Sequence, residues 1–373
     1  MPRPPIPSHR RKPSLSRRGV IGTAGAVAAG AALTPVVFAA AESGDAAGSP
    51  SGSGDSGTKP ATFPATRTEA ASGTAEAATA FAASFVGVRW AGAPDGAGIR
   101  FADGDAAAGT WQTVNGGCAT VDGGGTALVA AGNATAYELK LPDGASDVRS
   151  LAIDTTDGPD RTFHVPSEPT RVRGVPYLPR PAWGADESKR YQDGKVNTPE
   201  AYYPLQAITV HHTATQNDDP DPAASVRGIY EYHAITLDWG DIGYHFLIDE
   251  AGTVYEGRYS GDDVTPAFDP DGKVVTAFHT AGYNSGNLGI ALLGTLNDRP
   301  PTDAARKALI RLVRVLARVK GLDPRAKTTY VNPVNGVTRD VTTVSGHRDW
   351  LETECPGQTM YDLLAEVRAA TAP

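Results

Sequence analysis

The sequence predicts a mixed α/β unit in the C-terminal half, with a central β-sheet flanked by helices, and a small all-β sandwich domain before it. Strand-like and helix-like segments alternate from about residue 180 onward. Residues 81–165 instead hold short strand-like runs separated by Gly, Asp and Asn. Residues 303–320 carry apolar side chains at helical spacing. Alternation of this kind is typical of helices packed against a shared sheet.

Residues 1–41 are interpreted as an export signal that belongs to neither domain. The run 19–41 carries no charge, and Arg17 and Arg18 stand directly before it, which resembles a twin-arginine signal. An anchoring transmembrane helix is the alternative, because a run of this length could span a bilayer. Its Ala, Gly and Pro35 make it a weak membrane segment, and Ala39–Ala41 offers a cleavage point. We therefore expect a secreted protein without stable membrane insertion after signal removal.

The charge balance argues against nucleic acid as a partner. The whole chain has a formal net charge of −8 at pH 7. The leader is purely basic, with Arg3, Arg10, Arg11, Lys12, Arg17 and Arg18 and no acid before residue 42, so its removal leaves a more acidic protein. Phosphate binding needs clustered positive charge.

Two linkers are predicted around the all-β domain of residues 81–165. Residues 42–80 are mostly Ala, Gly, Ser, Thr, Asp and Pro, with Phe63 as the single large apolar side chain, which predicts a disordered linker. Residues 166–178 are rich in proline, which predicts an extended linker. The all-β domain shows no acid/base pair, metal-ligand spacing or phosphate loop, so the sequence assigns it no role.

The C-terminal half contains a predicted order of strands and helices. Strands are expected at 207–212, 243–249, 253–257 and 288–293, where 288–293 is a continuous apolar run that indicates burial on both faces. Helices are expected at 222–235, 303–320 and 360–370, and Gly321 follows the second of these as a stop signal.

Three side chains suit a zinc site: His211 or His212 at the end of the first strand, His347, and Cys355. Neighbouring residues of a strand face opposite sides, so His211 and His212 cannot both bind one metal. Three protein ligands would leave one tetrahedral position open, as in catalytic zinc sites. The alternatives are histidines satisfied within a core, and a disulfide between Cys118 and Cys355.

Several motifs occur together and in order in the C-terminal half. They are PAWGADES (181–188), ITVHHTAT (208–215), DWGDIGYHFLIDEAGTVYEGR (238–258), HTAGYNSGNLGIALLGT (279–295) and SGHRDWLETECPG (345–357). In this set the chain resembles the peptidoglycan recognition proteins, which share their fold with the type 2 N-acetylmuramoyl-L-alanine amidases. The resemblance covers roughly residues 179–370. It implies that residues 179–373 form a zinc amidase domain, secreted or associated with the cell wall.

The resemblance assigns the metal ligands. In catalytic members of the family, zinc is held by residues that match His211, His347 and Cys355. Members that only bind peptidoglycan typically lose the cysteine. Because this chain keeps Cys355, the resemblance implies an enzyme that hydrolyses the amide between N-acetylmuramic acid and L-alanine, and it disfavours the Cys118–Cys355 disulfide.

The resemblance also implies two catalytic residues. Tyr244 matches a tyrosine beside the metal, whose hydroxyl can donate a hydrogen bond to the oxygen that becomes anionic during amide cleavage. Thr353 stands two residues before the last ligand, where some relatives have a lysine. Glu231 and Glu354 are candidate general bases, and a metal site of this kind can also work without one.

The predicted substrate contacts are of two kinds. His233, His279 and Asn287 match residues that line the family's groove. Trp239 and Arg258 match a pair that recognises diaminopimelate-type stem peptides, because an arginine fork suits a carboxylate. Asp238 departs from this pattern, since glycine is expected there.

Two other functions remain open at this stage. One is a peptidoglycan-binding receptor without turnover, and the other is a wall-associated adhesin in which the all-β domain is the active part. The resemblance favours the amidase acting on diaminopimelate-type peptidoglycan.

Overall fold

The computed structural model describes residues 57–73, 75–93, 96–103, 108–114, 124–262 and 265–371. The predicted export signal, residues 42–56 of the first linker and Cys118 lie outside these ranges. Within them, no helix has the length and apolar character needed to cross a membrane.

Eight strands make up the N-terminal part. They are β1 Thr58–Pro64, β2 Arg67–Ser72, β3 Glu76–Ala91, β4 Ala97–Ala102, β5 Gln112–Val114, β6 Gly125–Lys140, β7 Ser146–Asp154 and β8 Asp160–Pro166. Six of them form one antiparallel sheet in the order β2–β7–β3–β6–β4–β5, called here the N-terminal sheet. Strands β1 and β8 pair separately. The all-β prediction for this part is confirmed.

The two faces of the N-terminal sheet are covered differently. Val86, Val88 and Trp90 lie in an apolar core with side chains of β4, β6 and β7. Phe85 and Ile153 belong to the opposite face, because successive side chains alternate along a strand, and they pack against Tyr232 of the C-terminal half. The C-terminal half therefore packs on this face of the N-terminal sheet, where the predicted sandwich would have a second sheet.

The predicted disordered linker is wrong for residues 58–64, 67–72 and 76–80, which form β1, β2 and the start of β3. These small and polar residues carry little apolar signal, and they are ordered by pairing with distant strands. Strand β2 pairs with β7 in register Arg67↔Asp154. The Arg67 Nε also donates to the buried Asp154 carboxylate at 2.7 Å. Long-range pairing of this kind leaves no trace in local composition.

The proline-rich segment 166–178 is also more ordered than predicted. It contains a short hairpin of β9 Arg171–Val172 and β10 Val175–Pro176. Val172 and Val175 are buried in the main core of the C-terminal half. The segment therefore packs onto that half instead of acting as a spacer. Both parts belong to one compact unit, Asp55–Pro373.

The remaining elements of the C-terminal half follow in chain order. Strands are β11 Tyr191–Gln192, β12 Lys195–Val196, β13 Tyr202–Tyr203, β14 Ala207–His212, β15 Phe246–Ile248, β16 Val254–Glu256, β17 Val274–Val275, β18 Asn287–Leu292, β19 Lys327–Val331, β20 Thr338–Thr342 and β21 Val344–Gly346. Helices are α1 Pro222–Glu231, α2 Asp303–Lys320 and α3 Gln358–Thr371, with 3₁₀-helices Arg180–Trp183, Glu187–Arg190 and His347–Asp349 and a π-helix Tyr232–Thr236.

A mixed five-stranded sheet, β16–β15–β18–β14–β21, lies at the centre. Strand β14 runs parallel to both β18 and β21, β15 is parallel to β18, and only β16 is antiparallel. Apolar side chains of β14, β15 and β18 pack against α2 and α3 on one face, while α1 packs on the other. The predicted central sheet flanked by helices is confirmed.

Helix α2 has the bounds that its sequence predicts, because its ends and its apolar face agree. The Thr302 hydroxyl accepts a hydrogen bond from the Ala305 N–H at 3.1 Å as N-cap. Gly321 ends the helix with φ +64°, a left-handed conformation that favours glycine. The helix predicted at 222–235 is shorter, since α1 ends at Glu231 and continues as the π-helix.

The neutral ring of His245 forms two hydrogen bonds, one to the segment of β17 and one to β18. Its Nε2 donates to the Val275 carbonyl at 2.7 Å, and its Nδ1 accepts from the Gly289 N–H at 2.9 Å. Burial lowers the pKa of His245 to about 4. An unfolded histidine has a pKa of about 6.5, so the unfolded chain binds one more proton between these two pH values.

We therefore expect His245 to destabilise the fold as pH falls from about 6.5 to about 4, by on the order of 3 kcal/mol in total. Above pH 6.5 both states hold a neutral ring and the contribution is fully present. The measurement is urea unfolding of the protein and of His245→Gln between pH 4 and 8. The wild-type curve should lose more stability than the variant in acid, and parallel curves would contradict the assignment.

Candidate metal centre

The end of β14 presents His211 to the metal centre and His212 to the other side of the sheet. His212 Nδ1 accepts the Leu296 N–H at 3.1 Å, whereas the His211 ring lies 4.6 Å, centroid to centroid, from that of His347. The parallel pairing Val210↔Gly346 brings His211 and His347, the next residue of each chain segment, to the same edge of the sheet. The choice between His211 and His212, open from periodicity alone, thus falls on His211.

Cys355 completes the group from the loop before α3. Its Sγ lies 3.5 Å from His211 Nδ1. One donor atom each from His211, His347 and Cys355 lies within 4.8 Å of the other two, and the side chains are 0%, 1% and 1% exposed. Ligands around a tetrahedral zinc lie roughly 3.3–3.8 Å apart, given Zn–N and Zn–S bonds of about 2.0 and 2.3 Å. The cluster therefore fits zinc in donor type, and the 3.5 Å between Cys355 Sγ and His211 Nδ1 lies within this range.

His347 provides an independent test of that fit. Both of its ring nitrogens are buried and have no hydrogen-bond partner. A buried polar atom without a partner costs about 1–3 kcal/mol. A metal bound to one of these nitrogens would remove part of that cost, so the ring is placed as a ligand would be.

His279 supports the metal centre from behind, in addition to lining the cavity described below. Its Nε2 donates to the Asn287 carbonyl at 3.0 Å, so its Nδ1 is the acceptor in the neutral ring. That Nδ1 lies 3.0 Å from His211 Nε2. Burial holds the pKa of His279 well below its usual range. His211 therefore donates from Nε2 and keeps the lone pair of Nδ1 directed at the Cys355 side, the arrangement expected of a ligand and its outer-shell partner.

Gly289 and Asn287 of β18 have structural roles behind the metal centre. A Cβ at Gly289 would lie 2.6 Å from the His279 ring, so glycine is needed there. Asn287 is fully buried, and its Oδ1 accepts from the Thr209 hydroxyl at 2.8 Å. The Asn287 side chain thereby serves the pairing of β14 and β18, and its contact with substrate stays a prediction.

The two predicted catalytic residues both lie beside the metal cluster. The Tyr244 ring is 5.3 Å from the His211 ring and 5.5 Å from that of His233, centroid to centroid. The Thr353 hydroxyl accepts the Cys355 N–H at 3.2 Å, which shapes the loop that carries the sulfur. Of the candidate bases, Glu231 is buried in an ion pair with Lys189, and Glu354 accepts from Asn297 at 3.0 Å on the surface. Neither carboxylate belongs to the metal cluster.

The predicted stem-peptide residues form a stack of rings over a buried arginine. His233 lies 4.8 Å from Trp239, and Trp239 lies 5.9 Å from Phe278, each between ring centroids. The Arg258 guanidinium sits 4.6 Å from the Phe278 centroid, is 2% exposed and has a buried Nη1 without a hydrogen-bond partner. Burial lowers the pKa of Arg258, although nearby Asp241 opposes this.

The backbone conformation at Asp238 explains why the resemblance leads us to expect glycine at this position. Its φ is +58°, in the left-handed region that Asp tolerates better than most residues. The carboxylate accepts a hydrogen bond from Asn197 Nδ2 at 2.8 Å. The charge of the Asp238 carboxylate is thereby bound by the Asn197 amide.

A cavity of about 40 Å³ opens beside the cluster. The C-terminal half contributes Thr213, Ile229, Tyr232, His233, Leu237, Trp239, Tyr244, Phe278 and His279 to its lining. Strand β6 of the N-terminal sheet contributes Thr126, Ala127 and Leu128. Sequence reasoning missed these three, because alternation along a strand shows which residues share a face but not what that face meets.

Comparison with known proteins finds a family match and relatives for the C-terminal half. A family model described as N-acetylmuramoyl-L-alanine amidase matches residues 201–358. The chain is 30% identical over 193 residues to peptidoglycan-recognition protein SC2 of Drosophila melanogaster, covering 51% of this chain and 85% of that protein.

The chain belongs to the peptidoglycan recognition protein family. This confirms the family that the motifs predicted. Human N-acetylmuramoyl-L-alanine amidase is 33% identical over 165 residues, which cover 43% of this chain and 24% of that relative. The chain thus spans about a quarter of the human protein's length.

Among solved structures, the amidase LysC from Clostridium intestinale is 28% identical, with 46% of this chain and 89% of that chain covered and a TM-score of 0.33. The N-terminal sheet of this chain lies wholly outside the range 201–358 that the family model matches.

Replacing His279 with Ala should weaken zinc binding by about 10–100-fold, because His211 loses the acceptor that orients it. The affinity is measured by competition with a chromogenic chelator. His164→Ala, on exposed β8, is the control and should bind zinc like the wild type. Equal affinity in His279→Ala and wild type would contradict the supporting role.

Proposed function

We propose that this chain is an exported, zinc-dependent N-acetylmuramoyl-L-alanine amidase that cleaves the amide between N-acetylmuramic acid and L-alanine in peptidoglycan. The observation that carries the proposal is the buried group of His211, His347 and Cys355 beside Tyr244. Two imidazoles and a thiolate are a donor set for zinc, and three protein ligands are typical of catalytic zinc sites. Export is supported by the twin-arginine pattern of residues 16–18 ahead of an uncharged run.

Zinc, when bound, supplies Lewis acidity that polarises an amide carbonyl and makes water more acidic. His211, His347 and Cys355 would hold it. His279 fixes the tautomer of His211, so the ring need not reorganise during turnover. Thr353 holds the backbone N–H of Cys355 and thereby the position of the sulfur.

Tyr244 is proposed to stabilise the charge that develops on the amide oxygen. It lines the cavity next to His211, and a phenol donates one hydrogen bond. In a cavity that excludes bulk water such a donor is worth more than in solution. His233 also lines the cavity; its Nδ1 accepts the Gly243 N–H at 3.0 Å, so the neutral ring carries its proton on Nε2 and can donate to substrate.

The proposed substrate is peptidoglycan with diaminopimelate-type stems. Support comes from Arg258, whose buried Nη1 has no hydrogen-bond partner and which lies beneath the aromatic stack of Trp239 and Phe278. A carboxylate would satisfy such a guanidinium through a charge-assisted hydrogen bond. Asp238 opposes this less than its charge suggests, since its carboxylate is bound by Asn197.

The test is incubation of the zinc-loaded full chain with purified diaminopimelate-type peptidoglycan, with products identified by mass spectrometry. Free stem peptides beginning at L-alanine are expected, and Lys-type wall should release them more slowly. Cleaved glycan strands, or wall that is bound and left intact, would contradict the amidase and, in the second case, indicate a receptor.

Replacing Tyr244 with Phe should lower kcat by about 10²–10³-fold and leave wall binding nearly unchanged, because the lost hydrogen bond acts on the developing charge. Tyr191→Phe changes an exposed tyrosine in the same way and should keep full turnover. Equal kcat values for Tyr244→Phe and Tyr191→Phe would remove Tyr244 from the mechanism.

A further inference from the structure

The cavity beside the metal cluster is too small for the proposed substrate. Its volume is about 40 Å³, and one water needs roughly 10–15 Å³ of such space, so it holds a few waters. Pockets that bind drug-sized ligands are on the order of 300–1,000 Å³. A muramoyl residue with its stem peptide therefore cannot reach the cluster through this cavity as it stands.

One wall of the cavity comes from the N-terminal sheet. Thr126, Ala127 and Leu128 of β6 line the same cavity as His233, Trp239 and Tyr244, and the Leu128 side chain lies on the face that meets the C-terminal half. Residues 57–166 lie outside the matched family range, so this wall is an addition to the family's fold. It stands next to the residues that the proposed reaction uses.

An apolar seam holds the N-terminal sheet in this position. A Cβ at Gly87 would lie 2.5 Å from the Tyr232 ring, so Tyr232 occupies the space that a side chain would fill. Leu128 and Leu151 are the cross-strand neighbours of Gly87 on either side of this socket. The fit is reciprocal, because a Cβ at Gly228 would lie 2.8 Å from the Phe85 ring.

Polar contacts surround the seam. The Tyr232 hydroxyl donates to the Val88 carbonyl at 3.3 Å. The guanidinium of Arg227 donates to the Thr155 carbonyl at 3.0 Å and to the Trp183 carbonyl at 3.2 Å, and so joins the two parts of the chain. Arg161 of β8 forms an ion pair with Asp186.

The seam connects directly to the cavity. Tyr232 is the first residue of the π-helix and His233, which lines the cavity, is the second. A π-helical turn is rare and recurs at functional sites. Motion of the N-terminal sheet away from Tyr232 would therefore withdraw Leu128 and open the cavity at the same time.

We propose that the N-terminal sheet is an autoinhibitory cap on the metal cavity. In the closed form β6 excludes the muramoyl peptide, and separation along the seam between Gly87 and Tyr232 admits it. This inference rests on the proposed amidase function. A fixed sheet that helps to bind substrate is the competing arrangement, and the experiment below separates the two.

The test uses the full chain with Gly87→Val, which drives a side chain into the Tyr232 ring, and with Leu151→Ala, which removes one side of the socket without adding bulk. Residue 87 has no positive φ, so valine is compatible with its strand. Ala78→Val, at an exposed position of the same strand, is the matched control. Thermal unfolding identifies the variants that fold, and Leu151→Ala keeps the test available if Gly87→Val does not.

Two rates are measured: release of stem peptides from peptidoglycan, and removal of zinc by a chromogenic chelator. The cap predicts that both rates rise in Gly87→Val by roughly tenfold or more, rise less in Leu151→Ala, and stay at the wild-type level in Ala78→Val. Zinc removal at the wild-type rate in both folded seam variants would overturn the cap. Slower hydrolysis with unchanged zinc removal would also overturn it and identify the sheet as part of the binding groove.

The zinc measurement keeps the two proposals distinguishable. Faster zinc removal in the seam variants, with no stem peptide released by any variant, would support the cap and refute the amidase. Stem peptides released equally by all variants, with equal zinc removal, would support the amidase and refute the cap.

Discussion

The parallel pairing of β14 with β21 is the constraint on which the metal centre depends. The register Val210↔Gly346 brings His211 and His347, distant in the chain, to one edge of the sheet. Cys355 then needs only the short loop after the 3₁₀-helix His347–Asp349 to reach the same point. The apolar cores on both faces of the sheet hold the two imidazoles in place. One ring nitrogen of each lies within 4.8 Å of the other, a separation that a bound metal can bridge.

A chain of neutral groups behind the cluster keeps it ready for a metal. Asn287 accepts from His279, His279 accepts from His211, and Gly289 provides the space for the His279 ring. Each of these residues is buried, so desolvation disfavours protonation of the His279 imidazole. The buried glycine and asparagine of β18 thereby serve the metal centre, although neither reaches the cavity.

Much of the C-terminal half could be predicted from sequence. Strand β14 and helix α2 have the bounds predicted, because their apolar periodicity and end signals agree. Strands β1 and β2 could not be predicted from residues 58–64 and 67–72, since their order comes from pairing with β8 and β7 far along the chain. Composition describes local preference, and here long-range hydrogen bonding prevails over it.

The site was predictable in its ligands and less so in its surroundings. Motif resemblance selected His211, and the structure explains the selection by turning His212 toward Leu296. The resemblance matched Asn287 and His279 to groove-lining residues. It did not report that Asn287 accepts from Thr209 or that His279, which lines the cavity, also hydrogen-bonds behind His211. Leu128 gave no sign of its position, since no sequence pattern reports that one domain's sheet meets another domain's cavity.

The claim that most of this account requires is that His211, His347 and Cys355 bind zinc together. X-ray absorption at the zinc edge of the loaded full chain tests it most directly, because sulfur and nitrogen scatterers differ in distance, about 2.3 against about 2.0 Å. The account predicts one zinc per chain with one sulfur ligand, and loss of the sulfur shell in Cys355→Ser. A zinc environment with only nitrogen and oxygen ligands in the wild type, or a sulfur shell that survives Cys355→Ser, would contradict it.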